Sequence, residues 1–439
     1  MTSSADSLPR YTLRCRWLIP QTAAPLEAGW VRVERGRIAG VGRRSPPGPS
    51  DEQIDLDDAI ILPGLVNAHT HLEFSEVEAP LEATGGLPGW IDRLVAHRRQ
   101  LASSGVLSEA VARAIDRGLR ESAAEGVTHI GEIASHAPPM RSGRPGPTVR
   151  IFREALGLRP SSQAAATTAV SSDLDRLIHA GRPAGISPHA PYSVAATLGR
   201  QLVLLARRRG LPVAMHLCES IDEEELVATG RGPFRDLLER LGAWDSARPP
   251  AFLSPADWIG LLALARRGIV VHATHIGRDP LALARLARHR DRLAVAVCPR
   301  TTKLLSGTLP PVRLLAEAGV RVAIGTDSRA SNPDLSVLEE CRTLVDAGLA
   351  SPEESLRMAT VNGAWALAAE HRAGCLAVGR PADIAVLRPV TPAVDPCAAA
   401  IEPGTRVAAT LRRGRLIFGR LARPGRSRSP GLPADGIQP

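Results

Sequence analysis

The chain has 439 residues, of which 44% are hydrophobic and 23% charged, and this composition excludes an intrinsically disordered protein. The formal net charge is +9, but basic and acidic residues alternate and only 3% of the residues are aromatic, so we expect no nucleic-acid partner. No apolar run reaches the ~18 residues of a membrane span, so we expect no membrane contact. Met1–Pro20 lack a signal-peptide pattern, and the six cysteines form no C-x-x-C pair. We therefore expect a cytoplasmic location with reduced thiols.

Both ends of the chain are predicted to form short β-strands. In residues 1–58 the strands are Tyr11–Ile19, Trp30–Val33 and Arg37–Val41. Residues 371–420 return to this pattern, with strands at Cys375–Val378, Ile384–Leu387, Val407–Leu411 and Arg415–Phe418. We therefore expect the two ends to meet in one small β-sandwich. Residues 421–439 are rich in Pro, Gly, Ser and Arg, and are predicted to be a disordered basic tail.

The middle of the chain, residues 59–370, alternates between apolar runs and helix-like stretches. The runs are Ala59–Val66, Val127–Ile133, Val149–Leu156, Ala184–Ser187, Pro212–Leu217, Gly268–Val271, Leu293–Cys298 and Val320–Gly325. The helix-like stretches include Glu109–Glu125, Ala195–Arg209, Pro280–Arg288 and Pro311–Ala318. Apolar strands that alternate with helices indicate buried parallel strands, and eight of them predict a closed (β/α)8 barrel. A doubly wound open sheet is the alternative.

Polar residues follow several of these strands, where a barrel enzyme carries its catalytic groups. His69 and His71 follow the first strand, His216 the fifth, His272 the sixth and Asp327 the eighth. On an extended chain His69 and His71 point to one face, which here is the lumen. Three imidazoles and a carboxylate, from His69, His71, His216 and Asp327, form a donor set suited to zinc or ferrous iron. The alternative for the H-x-H pair is two surface or core histidines.

The motifs together resemble the amidohydrolase superfamily, most closely its metal-dependent deaminases and chlorohydrolases of amino-substituted N-heterocycles. The resemblance rests on Pro63–His71, the H-x-x-E of His216 and Glu219, His272, Gly325–Ser328 and Gly374–Asp383, and covers about residues 10–420. It implies that His69, His71, His216 and Asp327 bind the metal. It also implies that Glu219 shuttles protons and that His272 orients a metal-bound hydroxide, which makes Glu219, His272 and Asp327 the expected catalytic residues.

The residues themselves support these roles. A bound metal lowers the pKa of water to about 7, and a nearby carboxylic acid can protonate both a ring nitrogen and a leaving amine. Glu219, three residues after the expected ligand His216, is placed to be this acid. The alternative interpretation is that Glu219 is an exposed residue of an acidic run. Some superfamily members bridge two metals with a carboxylated lysine on strand 4, but the only lysine here, Lys303, follows strand 7. We therefore expect one divalent metal per chain, zinc or else iron.

Three further residues are expected to contact the substrate: His189, Glu73 and Arg300. His189 follows strand 4, and the same position contacts substrate in similar deaminases; the alternative is a helix-capping histidine. Glu73 is placed to reach a ring nitrogen. Arg300, at the mouth of strand 7, would form paired hydrogen bonds with a substrate carboxylate, or else pair with Asp334. His275 either supports the site from behind the residues that contact the metal and substrate, or lies at the surface; the sequence does not distinguish the two.

The leading functional hypothesis is hydrolytic deamination of an aminated purine nucleoside, a small N-heterocyclic substrate, by a metal-bound hydroxide. Thr70–Phe74, Gly89–Ile91 and Cys298–Thr301 resemble the aminodeoxyfutalosine deaminase group. Adenosylhomocysteine and methylthioadenosine deaminases usually have Ser-Asn where this chain has Thr301-Thr302, so the resemblance to them is weaker. The alternatives are hydrolysis of another ring substituent, as in triazine or pyrimidine chlorohydrolases, a guanine- or cytosine-type deaminase, and a non-catalytic barrel. A homodimer is left open.

Overall fold

A computed structural model describes residues 10–46, 52–103, 107–136, 145–247 and 249–421. The strands are β1 Tyr11–Leu18, β2 Leu26–Glu34, β3 Arg37–Arg43, β4 Gln53–Asp55, β5 Ile60–Pro63, β6 Leu65–Thr70, β7 Val127–Ala134, β8 Thr148–Ala155, β9 Ala184–Pro188, β10 Val213–Leu217, β11 Gly268–His272, β12 Leu293–Val297, β13 Arg321–Ile324, β14 Ile384–Arg388, β15 Arg406–Arg412 and β16 Arg415–Gly419. Apart from Leu421, the basic tail lies outside the described residues.

The α-helices follow most of the strands in the middle of the chain. They are α1 Gly86–Ser103, α2 Leu107–Ala124, α3 Pro160–His179, α4 Ala196–Arg209, α5 Ile221–Thr229, α6 Pro233–Arg240, α7 Pro255–Leu262, α8 Pro280–Arg288, α9 Pro299–Ser306, α10 Val312–Glu317, α11 Val337–Asp346, α12 Pro352–Arg357, α13 Gly363–Ala366 and α14 Pro396–Ile401. Shorter turns of helix cover Leu72–Phe74, Ile276–Arg278 and Met358–Asn362. Over the described ranges, no helix combines the length and the apolar composition needed to cross a bilayer.

Strands β6 to β13 form a parallel sheet in which each strand pairs with the next one along the chain. Hydrogen bonds connect the last strand back to the first: the N–H groups of Thr326 and Asp327 donate to the His69 carbonyl oxygen at 3.0 and 3.1 Å. The His71 N–H in turn donates to the Asp327 carbonyl oxygen at 3.0 Å. The predicted (β/α)8 barrel is therefore confirmed, and the open doubly wound sheet is wrong.

The ends of the chain form a second, mixed sheet in the order β16-β15-β14-β5-β1-β2-β3, with β4 beside β1. Its N-terminal and C-terminal strands share one apolar core, in which Leu13 and Val33 lie with Ile384 and Leu411. The Tyr11 hydroxyl also donates to the Gly414 carbonyl oxygen at 2.7 Å. The prediction that both ends build one β domain is confirmed.

The apolar run Ala59–Val66 was predicted to be a single barrel strand, and the structure divides it between the two sheets. Ile60–Pro63 pairs with β1 and β14 in the terminal sheet, whereas Leu65–Thr70 is the first barrel strand. The chain changes sheet at Gly64, where a Cβ atom would lie 2.2 Å from Thr128 Cγ2. Only glycine allows the backbone to pass this close to Thr128 of β7.

Cys375–Val378 is not a strand, contrary to the prediction. Glycines with positive φ angles flank it, Gly374 at 89° and Gly379 at 84°, so the backbone turns at both ends. Two isolated hydrogen bonds attach the segment to the N-terminal part of the chain, from Leu376 N–H to Pro20 and from Gly379 N–H to Ile38. A continuous strand ladder therefore does not form there.

Candidate active site

A cavity opens at the carboxyl ends of the barrel strands. Its floor contains His71, His216, His272 and Asp327, and one wall is the apolar face of α1, with Leu87, Trp90, Ile91 and Leu94. Because parallel barrel strands all end on the same side, side chains that are distant in sequence meet here. The cavity thus combines an apolar wall with a polar floor, as small-molecule sites usually do.

Three side chains of the floor, together with the neighbouring buried His69, place their donor atoms close to one another. His69 Nε2 and His71 Nε2 lie 3.3 and 3.5 Å from Asp327 Oδ1. His71 Nε2 lies 3.3 Å from His216 Nε2. Tetrahedral ligands at zinc's usual bond lengths are separated by about 3.3 Å. Three of the distances among the four predicted donors therefore match the separation of ligands around one tetrahedral metal ion.

The imidazoles are in the form that a metal binds. Burial lowers the pKa of His69 and His71 well below the ordinary value, and burial together with neighbouring His189 lowers the pKa of His216. Neutral histidine is the ligating species. The His216 ring donates from Nδ1 to the His189 carbonyl oxygen at 2.9 Å, which leaves its Nε2 lone pair facing the other donors.

Asp327 is oriented by a hydroxyl on the loop that follows β13. Ser331 Oγ donates to Asp327 Oδ2 at 2.5 Å, so that Oδ1 faces His69 and His71. Ser331 Oγ lies 3.0 Å from Thr301 Oγ1, on the neighbouring helix α9. This chain of hydroxyls fixes which carboxylate oxygen is offered to a metal.

Glu219 and His272 lie side by side at the edge of the donor set. Glu219 Oε1 is 3.3 Å from His272 Nε2. Burial raises the pKa of Glu219 well above the ordinary value, and the charges of Asp327 and Glu223 raise it further. Burial also lowers the pKa of His272 well below its ordinary value. A carboxyl group that holds its proton, beside a neutral imidazole, suits proton transfer at this position.

The loops that carry these groups have a strained backbone. Cys218, His272 and Asp327 have positive φ angles of 55°, 66° and 54°. Such angles are unfavourable for residues other than glycine and persist where the surroundings enforce them. After β10, Glu223 holds the strained backbone in place, because its carboxylate accepts hydrogen bonds from the N–H groups of Cys218 and Glu219 at 2.9 and 3.2 Å. The Glu219 side chain is thereby held at the donor set.

Two of the expected substrate contacts, His189 and Glu73, line the cavity. His189 Nδ1 lies 2.6 Å from Ser193 Oγ, so its Nε2 edge faces the cavity. Glu73 accepts a hydrogen bond from Ser135 Oγ at 2.8 Å and pairs with Arg98 at 3.3 Å. Both side chains are available to a substrate, and their contacts with it stay predictions.

Arg300 requires a correction. Its guanidinium group forms two hydrogen bonds with Asp334, at 2.6 and 3.1 Å, and it is not among the described residues that line the cavity. Because Arg300 is the second residue of α9, its side chain extends to the loop that contains Asp334 instead of crossing the barrel mouth. We therefore reassign it from substrate contact to stabilisation of that loop.

Glu154 and Arg98 also line the cavity, and the sequence analysis missed them. Glu154 closes β8, and a charged residue at the carboxyl end of an apolar strand is the signal that identified His216. Arg98 belongs to α1, and nothing local in the sequence indicates that this helix covers the barrel mouth. His275 lies on a separate surface pocket beside Cys218 and Asp279, outside this cavity.

Comparison with known proteins gives consistent matches over most of the chain. The profile of the amidohydrolase family matches residues 60–417. An aminodeoxyfutalosine deaminase of Deinococcus radiodurans is 32% identical over 352 residues, which cover 75% of this chain and 78% of that protein. A 5'-deoxyadenosine deaminase of Methanothermobacter thermautotrophicus is 27% identical over 407 residues, with 85% and 84% covered. Helicobacter pylori aminofutalosine deaminase, solved with methylthio-coformycin, shares the fold with a TM-score of 0.78 at 22% identity, and the match covers 93% of this chain and 100% of that chain.

Proposed function

The chain belongs to the amidohydrolase family, and we propose that this hydrolytic deaminase acts on an aminated purine nucleoside with one divalent metal ion per chain. The observation that carries the proposal is the set of donors from His69, His71, His216 and Asp327, next to the Glu219 carboxyl. The Asp327 carboxylate is 3.3–3.5 Å from His69 and His71, and His71 is 3.3 Å from His216. The apolar wall of α1 supplies a surface on which a flat heterocycle can pack.

Relatives with this architecture support a nucleoside substrate. The Deinococcus radiodurans and Methanothermobacter thermautotrophicus proteins are named for the deamination of nucleosides that carry an adenine ring. We propose that the substrate of this chain is of the same class, with an aminodeoxyfutalosine-like nucleoside as the first candidate. The correction to Arg300 removes the residue that was expected to recognise a carboxylate, so adenosine-like nucleosides without one are equal candidates.

The metal that we propose is zinc, because three neutral imidazoles and one carboxylate suit it, and ferrous iron fits the same donors. At this site a divalent ion would supply a Lewis acid that lowers the pKa of water to about 7. Glu154, His189 and His216 form a second possible cluster within 4.8 Å. The two ring nitrogens of His216 are already committed, to the first donor set and to the His189 carbonyl oxygen, which favours a single ion.

The residues of the chain divide the proton transfers between them. His272 lies 3.3 Å from Glu219. It holds the attacking oxygen against the face of the ring, at the carbon that carries the amino group. Glu219 donates its proton to the adjacent ring nitrogen as the new C–O bond forms. The resulting carboxylate then moves the proton of the added hydroxyl to the amine, so that the C–N bond breaks and ammonia leaves.

Hydrolysis of a chlorinated ring is the second candidate, and Glu219 argues against it. Chloride leaves as an anion and needs no proton, whereas an amine must be protonated before it leaves. The raised pKa of Glu219 therefore fits amine release better.

An ammonia-release screen tests the proposal. Protein loaded with zinc or with iron is incubated with adenosine, 5'-deoxyadenosine, aminodeoxyfutalosine, guanine, cytosine and a chlorinated triazine, and the Glu219→Gln variant serves as the inactive control. We expect ammonia from at least one purine nucleoside. Release of chloride or an alkylamine from the triazine, without turnover of any nucleoside, would show that the proposal is wrong.

A further inference from the structure

Glu154 lines the active-site cavity with a carboxylate that is incompletely hydrogen-bonded. The residue is 6% exposed, and its Oε1 atom accepts no hydrogen bond from the described part of the chain. Oε2 lies 3.4 Å from Ser135 Oγ, but the Ser135 proton has a closer acceptor in Glu73 Oε1, at 2.8 Å. A buried carboxylate without donors is unfavourable, and a ligand that supplies one is a physical reason for it to persist.

The neighbouring carboxylates differ from Glu154 in having partners within the protein. Glu132 Oε2 accepts the Leu72 N–H at 2.9 Å, and Glu73 pairs with Arg98 at 3.3 Å. Among these three described carboxylates, only Glu154 has a buried oxygen without a hydrogen-bond partner.

Two explanations that need no substrate are weaker. Glu154 Oε1 is 3.9 Å from His189 Nε2, which is too long for a hydrogen bond that would orient this imidazole. A metal shared by Glu154, His189 and His216 would need a nitrogen of His216, and both nitrogens already have partners. An incoming hydrogen-bond donor is the remaining explanation.

The order of the strands indicates which part of a substrate faces Glu154. Glu219 and His272 follow β10 and β11, whereas Glu154 closes β8 and His189 follows β9, on the other flank of the donor set. A purine with its amino-bearing carbon at the donor set and a ring nitrogen at Glu219 therefore turns its opposite edge toward Glu154. The ring nitrogens on that edge are acceptors only, so the available donors are hydroxyl groups of the attached sugar.

We propose that Glu154 accepts a hydrogen bond from a sugar hydroxyl of the substrate and so selects nucleosides over free bases and dideoxynucleosides. This inference rests on the proposed function. A hydrogen bond of this kind corresponds to about 2- to 150-fold in affinity. The wild-type enzyme is therefore expected to prefer adenosine to 2',3'-dideoxyadenosine by about that factor in kcat/KM.

The test compares these two substrates in variants of Glu154. In Glu154→Ala, kcat/KM for adenosine should fall to the level of 2',3'-dideoxyadenosine, whose own value should not change. Glu154→Gln, which keeps one acceptor oxygen and nearly the same shape, should give an intermediate preference and guards against a folding defect in the alanine variant. Glu224→Ala, which removes an acid paired with Arg278 outside the cavity, should keep the full preference.

Each other outcome overturns the inference in a recognisable way. An equal loss on both substrates would show that Glu154 supports the local structure, and a metal content lower than that of wild type would show that it is a metal ligand. Wild-type enzyme that deaminates both nucleosides equally well would leave the proposed function standing and remove only the sugar contact. Enzyme that deaminates no purine nucleoside would remove both.

Discussion

At the scale of single residues, the proposed metal site can be tested at His216, the donor contributed by β10, whose Nε2 lies 3.3 Å from His71 Nε2. We expect His216→Ala to lose most of the bound metal and nearly all activity, measured by elemental analysis and ammonia release. His275→Ala, a histidine of the separate surface pocket, is the matched control and should keep both. Two metal equivalents in active wild-type protein would contradict the single-ion site.

Glu219 should affect the chemical step without affecting the metal. Glu219→Gln keeps the size of the side chain but cannot exchange a proton, so kcat should fall by at least ~10²-fold, the usual scale of general acid–base catalysis. Metal content should stay at the wild-type level. Near wild-type turnover would mean that another group shuttles the proton.

Ser331 should act through Asp327, because its hydroxyl donates to Oδ2 at 2.5 Å and Ser331 is not among the described residues that line the cavity. We expect Ser331→Ala to weaken metal affinity by about 10- to 100-fold, the usual effect of removing a partner of a metal ligand. Competition with a chelator measures this affinity. Ser331→Thr keeps the hydroxyl and should recover most of it, whereas equal affinity in wild type and the alanine variant would contradict the role.

The sequence could bring the four candidate donors together because a period of two places His69 and His71 on one face, and because His216 and Asp327 lie at or just after the ends of apolar strands. For Arg300 the sequence left two partners open, a substrate carboxylate and Asp334, and the structure shows the pair with Asp334. Glu154 carried a usable signal at the end of β8, but no motif drew attention to it.

At the scale of elements, the passage from β5 to β6 depends on Gly64. Gly64→Ala would place a methyl group 2.2 Å from Thr128 Cγ2, and overpacking of this kind costs about 1–3 kcal/mol. Urea unfolding should show this loss of stability. Gly146→Ala is the control, because a Cβ there meets no atom of the described residues within 4 Å. Adding Thr128→Ala should restore part of the stability, and unchanged stability in Gly64→Ala would contradict the close approach.

This junction also shows why the first barrel strand could not be delimited from the sequence. Ile60–Pro63 and Leu65–Thr70 are both fully buried, so hydrophobicity does not distinguish the sheets to which they belong. Strands β8 to β13 were easier to predict, because at least one helix separates each from the next. The pairings of β5 with β1 and with β14, which join the two ends in one sheet, are non-local, and no local pattern specifies them.

At the scale of the whole molecule, the terminal sheet and the barrel are packed against each other as well as connected by the chain. Ala385 and Leu387 of β14 belong to the same apolar cluster as the barrel residues Val127 and Ile130. The sequence indicated that the two ends would meet, since both have short strands. It did not indicate how the joined ends would pack on the barrel.

Thr410 offers a direct test of this packing. Its hydroxyl, on β15 of the terminal sheet, donates to the Ala123 carbonyl oxygen near the end of α2 at 2.7 Å, and both residues are buried. Thr410→Val keeps the shape and removes the donor. The carbonyl retains the Gly126 N–H at 3.2 Å, so the expected loss of unfolding free energy is that of one hydrogen bond, about 0.5–1.5 kcal/mol.

Activity distinguishes this role from an effect on the active site. Because Thr410 lies at the contact between the two sheets and not at the cavity, kcat/KM of the valine variant should equal that of wild type. Thr391→Val, an exposed threonine in the C-terminal part of the chain, should leave both activity and stability unchanged. If Thr410→Val instead lowers kcat/KM at full stability, the terminal sheet influences the catalytic residues, and its packing on the barrel is more than structural support.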